Sequence, residues 1–412
     1  MQSPNAVFIS PATSAGQMSP VALWITAAGW ASAIDSRGGV SWIVTVDGVF
    51  DSDEALRRAV AEHASPVGPR ALSRLPSFTK QLAKDVRSQR RAQHLTRTAL
   101  SGPWMESELE FVWQQNGFFQ TAGSELARLK GVPYILQMEA PLVWEAARWG
   151  VARPGWGSLL ERFGERPDLQ RADLVTCVSS EVAQEVESMG FDRSKILITP
   201  CSVDLQLFAT ELDGTRVREA FGVQDRFVVG WVGGFRSFHG LDLLIDAADR
   251  LADRLPDLSL FLVGDGILRP KIEDDVKRRG LENVVLTGAV PHGQVPEHIA
   301  AMDVAVLSGP VLGGFHYSPL KMREYMACGK PVIAPNVGSI ADAAVHGEEA
   351  LLVTPWDTDQ LVRTIEMLYS DESLRQSLGA NARRRVELDG TWDTQLDLVL
   401  RQLDGKTTLP ER

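Results

Sequence analysis

The stretch Ser308–Asn336 constrains the fold more than any other part of this chain, because it combines a loop, a helix and a buried strand. Ser318 is a natural helix N-cap, since its hydroxyl accepts from amides two or three residues further on, and Pro319 suits the first helical position. Gly329 is expected to end the helix, and the apolar run at 331–335 predicts a short buried strand. Loop, helix and strand in this order predict an α/β sheet.

This loop and helix suit the binding of a phosphate-bearing ligand. The loop places backbone amides at the positive end of the helix, where phosphate is stabilised by roughly 0.3 to 2 kcal/mol. Lys321, Glu324 and Cys328 share one face of the helix, since they are separated by three and seven residues. Glu324 is therefore expected roughly one to two helical turns below the loop.

The segment at 318–335, SPLKMREYMACGKPVIAP, resembles the donor-binding segment of retaining nucleotide-sugar glycosyltransferases of the GT-B fold, glycosyltransferase family 4 type. The resemblance implies that Glu324 holds the ribose hydroxyls of the nucleotide. It also implies that the preceding loop holds diphosphate and sugar, through His316, Tyr317, Ser318, Pro319 and Leu320. The family usually has a second Glu at the position of His316. Because a carboxylate accepts two hydrogen bonds from sugar hydroxyls and a neutral imidazole accepts one, this difference concerns the sugar of the donor.

A second match to that family lies around residue 233. A predicted strand over 227–232 leads into Gly233 and Gly234 and then into Arg236 and His239, where the family places an Arg and a Lys that neutralise the diphosphate. The resemblance gives both residues a catalytic role. Arg binds phosphate bidentately and stays charged. His239 would carry full charge only below its pKa, so leaving-group assistance is expected to fall as pH rises.

The loop Gly264, Asp265 and Gly266 follows the next predicted strand. Arg269 stands where a dinucleotide fingerprint would have its third glycine, so a Rossmann dehydrogenase is not indicated. In the resembled family this loop lies near the nucleotide, and the backbone around Val290 contacts the base. Backbone contacts leave little trace in side chains, so the sequence does not decide between UDP and GDP.

Charge and cysteine content narrow the class of protein. The formal net charge of -11 argues against nucleic acid as the main partner. Cys177, Cys201 and Cys328 are widely spaced and form no CxxC pair, so neither a disulfide framework nor a zinc site is predicted. The start of the chain lacks a charged n-region, and the weakly polar run at 21–34 is too short to span a bilayer. We therefore expect a cytoplasmic protein with a buried helix at that run.

The first sixty residues begin with a short apolar run, a loop and this helix, in the order typical of nucleotide-binding α/β domains. Gly16 is the nearest match to the family's Gly-rich loop, which faces acceptor and donor phosphate. Asp51, Ser52 and Asp53 form a DxD, which binds a divalent metal in another glycosyltransferase class. The alternative is a helix cap by Asp51 with Glu54 three residues on, and we favour it because the helical pattern begins immediately.

The segment at 79–97 is strongly basic in an otherwise acidic chain. It suits either a helix that meets an anionic membrane or acceptor, or a solvated helix face. Its apolar stripe is thin, so we favour the solvated face, and peripheral membrane contact is not the preferred interpretation.

Glu139 follows a predicted buried strand and precedes Ala140 and Pro141. The segment resembles the family strand that ends at an acidic residue in the interdomain cleft, and ligands collect at such strand ends. Glu139 would then orient or deprotonate the acceptor as a catalytic residue. A carboxylate that caps the helix starting near Pro141 explains the same pattern, and both interpretations stay open.

Together these features predict a GT-B fold: two Rossmann-like α/β domains that face each other across a cleft. We expect an acceptor-binding domain at 1–205, a nucleotide-sugar-binding domain at 206–388 and a helix at 389–412 that crosses back to the first domain. The implied activity is transfer of a sugar from a UDP- or GDP-linked donor to a small acceptor, such as a natural-product intermediate, with retention. The donor is a co-substrate, and no metal or cofactor is expected. The alternatives are a GT-B epimerase or hydrolase of the nucleotide sugar, or a weakly active binding protein. The oligomeric state is not indicated.

Overall fold

The computed structural model describes residues 4–12, 21–61, 77–148, 150–151, 153–309 and 318–405. Its internal contacts divide the chain into two compact units. The first unit comprises Met1–Cys201 and Trp392–Arg412, and the second comprises Ser202–Thr391. Each unit is an α/β unit built on its own sheet.

The first unit is built on a seven-stranded sheet. Its strands are β1 (Ala6–Ile9), β2 (Ser41–Thr45), β3 (Gly48–Phe50), β4 (Phe111–Gln115), β5 (Tyr134–Met138), β6 (Leu174–Cys177) and β7 (Ile196–Ile198). Their spatial order is β3-β2-β1-β4-β5-β6-β7, and every pairing is parallel except that of β2 with β3. The strands are almost continuously buried, as parallel strands covered on both faces must be.

The helices that accompany this sheet are α1 (Val21–Asp35), α2 (Ser52–Ala61), α3 (Ser77–Ala99), α4 (Ala122–Lys130), α5 (Leu142–Arg148), α6 (Gly157–Leu160), α7 (Arg166–Leu169) and α8 (Ser180–Ser188). A π-helical segment, Glu161–Glu165, joins α6 to α7. The prediction of a buried helix near residue 21 is confirmed, because Trp24 and Trp30 of α1 are fully enclosed. Among the described residues, no helix combines the length and the apolar character needed to cross a bilayer.

One sequence interpretation in this unit is answered by a local contact. The N–H of Glu54 donates to Oδ1 of Asp51 at 2.7 Å and α2 begins at Ser52, so the favoured helix cap is confirmed. The described part of the chain holds no cluster of three or more His, Cys, Asp or Glu side chains placed to bind a metal ion. The basic segment is a helix, α3, and it is anchored by the buried pair of Asp85 with Arg153 at 3.0 Å.

The second unit is built on a six-stranded parallel sheet. Its strands are β8 (Phe227–Val232), β9 (Leu258–Val263), β10 (Val284–Gly288), β11 (Val304–Val306), β12 (Val332–Pro335) and β13 (Leu351–Val353). Its helices are α9 (Thr215–Phe221), α10 (Leu241–Leu251), α11 (Arg269–Arg279), α12 (Val295–Ala300), α13 (Leu320–Ala327), α14 (Gly338–Ala343), α15 (Thr358–Ser370) and α16 (Glu372–Asp389). Hydrophobic clusters cover both faces: alternate residues of β8 point to opposite clusters, with Val228 in one and Val229 in the other.

The last helix, α17 (Trp392–Leu403), packs in the first unit. The ring centroids of Trp392 and Trp30 are 5.9 Å apart. Position 29 of α1 is a glycine because a Cβ there would lie 2.2 Å from the Trp392 ring. Arg37 at the end of α1 pairs with Asp397 at 2.8 Å. These contacts attach the C-terminal helix to α1.

The strand order locates the ligand-binding edge of each sheet. The second sheet runs β10-β9-β8-β11-β12-β13, so the direction of winding reverses between β8 and β11. In the first sheet the same reversal falls between β1 and β4. Open α/β sheets bind ligands outside the carboxyl ends of the strands at this switch point. In the second unit, the loops that follow β8 and β11 are therefore the first place to look for a site.

Candidate active site

The turn after β8 is held against the loop after β9. The N–H of Gly233 donates to the carbonyl of Val263 at 2.9 Å, and the N–H of Phe235 donates to that of Asp265 at 2.8 Å. Gly264 has a φ of +138°, and a Cβ there would lie 1.9 Å from the carbonyl oxygen of Gly233. Two glycine-containing loops that are distant in sequence thus pack backbone to backbone.

Gly234 and Arg236 occupy the open side of this turn. Gly234 is exposed, and a Cβ there would lie 3.7 Å from Nε of Arg236. Gly266, in the opposite loop, has no room for a side chain, because a Cβ would lie 2.6 Å from the amide nitrogen of Phe235. Arg236 is exposed and forms no salt bridge among the described residues. Its guanidinium is therefore available to a ligand at this turn.

His239 ends a 3₁₀ turn, Ser237–His239, next to the switch point. The hydroxyl of Ser308, which follows β11, donates to the backbone carbonyl of His239 at 2.6 Å. The imidazole packs edge-on against Trp231, with ring centroids 5.4 Å apart. Burial, helped by the charges of Lys321 and Arg236, lowers the pKa of His239 to about 2.

This environment corrects the pH dependence that the sequence suggested for His239. An imidazole with so low a pKa is uncharged throughout the neutral range, so no loss of its charge accompanies a rise in pH there. The physical reason is that burial, and secondarily the charges of two neighbouring cations, disfavours the protonated ring. Sequence reasoning could not anticipate this, because one of those cations comes from another helix.

Helix α13 begins slightly later than the sequence predicted. Its first residue is Leu320 and its N-cap is Pro319, so the assignment of Ser318 as N-cap with Pro319 at the first helical position is wrong. Proline restricts its own φ to values that suit either place, and helix boundaries inferred from caps shift easily by one or two residues. The predicted end is confirmed: α13 stops at Ala327, and Gly329 follows with a φ of +65°.

Glu324 lies inside the second unit and is already engaged by a neighbour. Its side chain is 9% exposed, and Oε1 lies 3.1 Å from Nε2 of His292. His292 starts a short 3₁₀ turn just after β10, close in sequence to Val290, whose side chain is in the core. His292 belongs to none of the sequence motifs described above. Its position directly after the segment expected to contact the base was the signal that could have indicated one.

Lys321 is the second side chain without an assigned role that the structure brings to this place. Its Nζ is buried and has no hydrogen-bond partner in the described parts of the chain. The ammonium lies 4.1 Å above the ring centroid of Trp231. A Cβ at Gly233 would lie only 2.6 Å from it. Burial lowers the pKa of Lys321 to about 7, and the carboxylate of Glu324 opposes this shift. The spacing within SPLKMRE had placed Lys321 and Glu324 on one helix face.

Three predicted donor-binding residues, Gly16, His316 and Tyr317, lie outside the described residues. The others in the second unit lie on the β8 and β9 loops, on the segment after β10, just before α13 or within α13. The structure thus brings together the glycine turns, Arg236, His239 and Lys321, with Glu324 further along α13 and His292 beside it. This arrangement brings cationic side chains to the glycine turns, and cations beside such turns suit the binding of an anion.

The first unit has a separate polar edge where its own strands end. The amide of Asn116, after β4, donates to the carbonyl of Ala140 at 2.7 Å, and the N–H of Glu139 donates to Oδ1 of Asn116 at 3.4 Å. Oε1 of Glu139 is buried without a hydrogen-bond partner among the described residues. Burial, and secondarily the charge of Glu145, raises the pKa of Glu139 to about 7, against a hydrogen bond from Gln137.

Helix α5 is not capped by Glu139. The N–H of Leu142 donates instead to Oε1 of Glu165 at 2.5 Å. Glu165 also interacts with the backbone of Val143, and burial raises its pKa to about 7. The capping alternative for Glu139 is therefore wrong, because a residue from the later π-helical segment takes that role. Glu139 is left as a carboxyl group at a strand end with one oxygen unused.

Two family descriptions match the chain, one in each unit. "Glycosyl transferase 4-like domain" matches residues 60–202, and "Glycosyl transferases group 1" matches residues 226–371. The second match contains the glycine turns, Arg236, His239, Lys321 and Glu324. The first match contains Glu139.

Curated relatives include sugar-transferring enzymes that act on different substrates. The D-inositol 3-phosphate glycosyltransferase of Pseudarthrobacter chlorophenolicus is 30% identical over 300 residues, which is 68% of this chain and 66% of that protein. The 2-deoxystreptamine N-acetyl-D-glucosaminyltransferase of Streptomyces fradiae is 31% identical over 270 residues, 63% of this chain and 62% of that protein. The chain thus spans slightly less than two thirds of the length of these relatives.

The fold matches a solved structure over nearly the whole chain. HepE of Anabaena, solved in complex with UDP, superimposes with a TM-score of 0.65 at 19% identity and covers 97% of this chain and 100% of that one. At this identity the likeness establishes the fold, which is that of two Rossmann-like units with parallel sheets.

Proposed function

Because this chain carries a glycosyl transferase 4-like domain followed by a group 1 glycosyl transferase domain, we propose that it moves a sugar from a nucleoside diphosphate to a small acceptor with retention. The observation that carries the proposal is the arrangement in the second unit. The glycine turns of β8 and β9, the free guanidinium of Arg236 and the buried carboxylate of Glu324 lie at or near the switch point of a Rossmann-like sheet.

Each part of this arrangement suits one part of the donor. Arg236 offers a planar fork to the diphosphate, and each charge-assisted hydrogen bond is worth about 1.5 to 3 kcal/mol. Glu324 accepts from the ribose hydroxyls, while His292 holds the carboxylate in place. The segment with Val290 lies beside the base. The start of α13, with Ser318 and Leu320, supplies backbone amides to the phosphate. UDP is the first nucleotide to test, since HepE of the same fold was solved with UDP.

We assign the acceptor to the first unit, where Glu139 directly follows β5. A carboxyl group with a pKa of about 7 exists in both protonation states near neutrality, so it can accept from or donate to an acceptor hydroxyl. The names of two relatives specify D-inositol 3-phosphate and 2-deoxystreptamine as substrates. Both are small polyhydroxylated rings, and we propose an acceptor of that kind, which agrees with a natural-product intermediate.

The proposed transfer needs neither a metal nor a covalent intermediate. The bond between the anomeric carbon and the diphosphate oxygen breaks, and the acceptor oxygen bonds to the same face of that carbon. The acceptor proton passes to an oxygen of the departing diphosphate. The contribution of the protein is positioning and stabilisation of the charge that develops on the diphosphate. The cationic groups beside the β8 turn are placed for the second task.

The first test is thermal unfolding of the protein with UDP, GDP, ADP and NAD. A ligand at a hundred times its dissociation constant adds about 2.7 kcal/mol of stability, a shift of some degrees for domains of this size. We expect a shift with UDP or GDP and none with NAD. Nucleotide sugars of the responding base are then incubated with inositol and aminocyclitol acceptors, and the anomeric configuration of the product is read by NMR. Turnover without any acceptor would indicate a hydrolase or epimerase instead, and an inverted product would contradict retention.

A further inference from the structure

The cationic side of the proposed donor site lacks the charge that the family resemblance placed at residue 239. His239 is half-buried, and its low pKa leaves it uncharged near neutral pH in the protein without ligand. Arg236 is exposed, and its charge is screened by solvent. One exposed cation is a weak complement to a diphosphate that loses its sugar and gains charge. The structure places another amine a few ångströms away, on a different element.

We propose that Lys321, at the start of α13, is the buried cation that binds the donor diphosphate, and that it takes over the role suggested for position 239. This inference rests on the proposed function, because the anion is taken to be the diphosphate of the donor. It names a binding residue that the sequence assigned no role.

The amine of Lys321 is buried without a hydrogen-bond partner among the described residues. Nζ forms no hydrogen bond in the described parts of the chain, although an ammonium has three donors to satisfy. Leaving a buried polar group unpaired costs about 1 to 3 kcal/mol, and more if it is charged. A lysine that served only packing would extend its amine into solvent. An anionic ligand that accepts from Nζ removes this cost.

The space around the amine lies between the ring of Trp231 and the backbone of Gly233. Lys321 is the second residue of α13, and its Nζ lies over the face of Trp231, which ends β8 together with Val232. Because residue 233 is a glycine, there is room for Nζ of Lys321 beside it. A Cβ at position 233 would lie 2.6 Å from Nζ. The ring stabilises a cation on one side, and the glycine turn leaves backbone accessible on the other. The amine therefore sits between the two elements that meet at the switch point.

The charged groups that face Lys321 come from α13 and from the β8 turn. Glu324, three residues on in α13, is the carboxylate that interacts with it, and His292 shares that carboxylate. On the β8 turn the facing groups are His239, which is uncharged, and Arg236, which is cationic. Asp265 of the adjoining loop is committed to the N–H of Gly266 and to Arg269, at 2.6 and 3.6 Å. Among the described residues, Glu324 is therefore the carboxylate left to face the buried ammonium, and a diphosphate would supply further negative charge.

A bound anion also changes the protonation of Lys321. The pKa of about 7 applies without ligand, and a phosphate against Nζ raises it, so binding takes up a proton above neutrality. Affinity for an anion that keeps its charge should therefore fall as the free lysine loses its proton. Between pH 7.5 and 8.5 the expected loss is about eightfold.

The test measures binding of UDP, GDP and inorganic pyrophosphate to the full chain by calorimetry, at pH 7.5 and 8.5 and in buffers of different ionisation enthalpy. The variants are Lys321→Met, which keeps the apolar stem on Trp231, Lys321→Arg and the double variant Lys321→Met with His239→Lys. Lys277→Met, an exposed lysine of α11, is the matched control. Thermal unfolding without ligand checks that each variant is folded.

We expect Lys321→Met to weaken nucleotide and pyrophosphate about 10- to 100-fold at pH 7.5 and to abolish both the pH dependence and the proton uptake. Lys321→Arg should keep affinity while losing the proton uptake, because Arg does not titrate in this range. In the double variant, His239→Lys should restore part of the affinity that Lys321→Met loses, and Lys277→Met should match the wild type. Unchanged affinity and proton uptake in a folded Lys321→Met protein would overturn the proposal.

The failure of the wider function gives a different result. If the wild type binds pyrophosphate through Lys321 but binds neither UDP nor GDP, the anion site stands and the nucleotide-sugar function fails. If Lys321→Met binds a nucleotide as tightly as the wild type does, the function stands and the role of Lys321 fails. If none of the three ligands binds, both proposals are wrong.

Discussion

His292 Nε2 lies 3.1 Å from Glu324 Oε1, so the carboxylate expected to hold the ribose is itself held by a residue from the turn after β10. The ring of His292 packs in turn against Phe208, with centroids 5.5 Å apart. A carboxylate fixed in this way loses little side-chain freedom when a ligand binds, which favours affinity. The pair also connects α13 to the segment expected beside the base.

Glu324→Ala should raise the dissociation constant for the donor nucleotide about 10- to 100-fold, because it removes an acceptor of charge-assisted hydrogen bonds. His292→Ala should cost less, about threefold to tenfold, since it frees the carboxylate without removing it. Isothermal titration with UDP or GDP measures both. Glu282→Ala, at an exposed position of the same unit, is the control. Nucleotide affinity that survives Glu324→Ala would refute the ribose assignment.

Gly233→Ala should abolish pyrophosphate binding. The position has a φ of +150°, and an added Cβ would lie 2.6 Å from Lys321 Nζ and 2.9 Å from Trp231. The new methyl group must displace the amine or the ring, besides straining the backbone by about 1 to 3 kcal/mol. Gly280→Ala is the matched control, because its φ is +68° and nothing lies within 4 Å of the new Cβ. Both variants should lose stability in chemical denaturation, and equal loss of pyrophosphate binding in both would show that strain alone explains the effect.

Lys321→Met should stabilise the protein without ligand, and the gain should depend on pH. The pKa of Lys321 is about 7 in the folded protein, against an ordinary lysine value of 10.5 in the unfolded chain. Between these values the unfolded chain binds more protons, so the wild type gains stability as pH rises from 7 towards 10.5. The variant lacks this term. Its advantage in urea denaturation should be largest at or below pH 7 and should shrink as pH approaches 10.

The Lys277→Met control should show no such convergence with the wild type. A wild type and a Lys321→Met variant that keep a constant difference in free energy of unfolding from pH 7 to 10 would mean that Lys321 keeps an ordinary pKa. Residues that bind anions often cost stability in the free protein, so a stabilised variant with weaker binding fits a functional lysine.

Glu139→Gln should remove the ascending limb of the pH profile for transfer. If the ionised carboxylate orients the acceptor, the wild-type kcat/KM for acceptor should rise through pH 7, where Glu139 loses its proton. Donor binding should weaken above pH 7 as Lys321 deprotonates, so the two groups together predict a bell-shaped profile. The Gln variant should be less active and flat on the acidic side. Glu110→Gln, at an exposed position of the first unit, should keep the wild-type profile.

The raised pKa of Glu139 predicts that its contribution to the free energy of unfolding changes with pH in the opposite direction to that of Lys321. Its folded pKa of about 7 lies above the ordinary glutamate value of 4.5, so the folded protein binds more protons between these values. The contribution of Glu139 is present below pH 4.5 and is lost as pH rises through 7. Glu139→Gln should therefore become progressively more stable than the wild type as pH rises from 5 to 7.5. A constant difference would indicate that Glu139 ionises normally in the folded protein.

Much of the local structure follows from short-range rules that the sequence displays. Neighbours within a few residues determine four features of this kind. They are the cap by Asp51, the stop of α13 before Gly329, the buried helix at Val21–Asp35 and the strand Phe227–Val232. The family resemblance extended these predictions to a pair of Rossmann-like units, because the motif residues of this chain stand at the spacing found in the family. The helix face shared by Lys321 and Glu324 was likewise determined by the sequence, since helical geometry alone sets it.

The tertiary structure decided what those residues do. Tyr325 of α13 accepts from the N–H of Val232 across 93 residues of chain, at 2.7 Å, and contacts of this kind bring Lys321 onto Trp231. The uncharged state of His239 follows from its burial and, secondarily, from the charges of Lys321 and Arg236. The choice of Glu165 over Glu139 as the cap of α5 follows from a later helix. Burial and pairing depend on groups that are close in space and remote in sequence, and pKa values depend on both. For this reason the elements were predictable from the sequence, and the chemistry of the site was not.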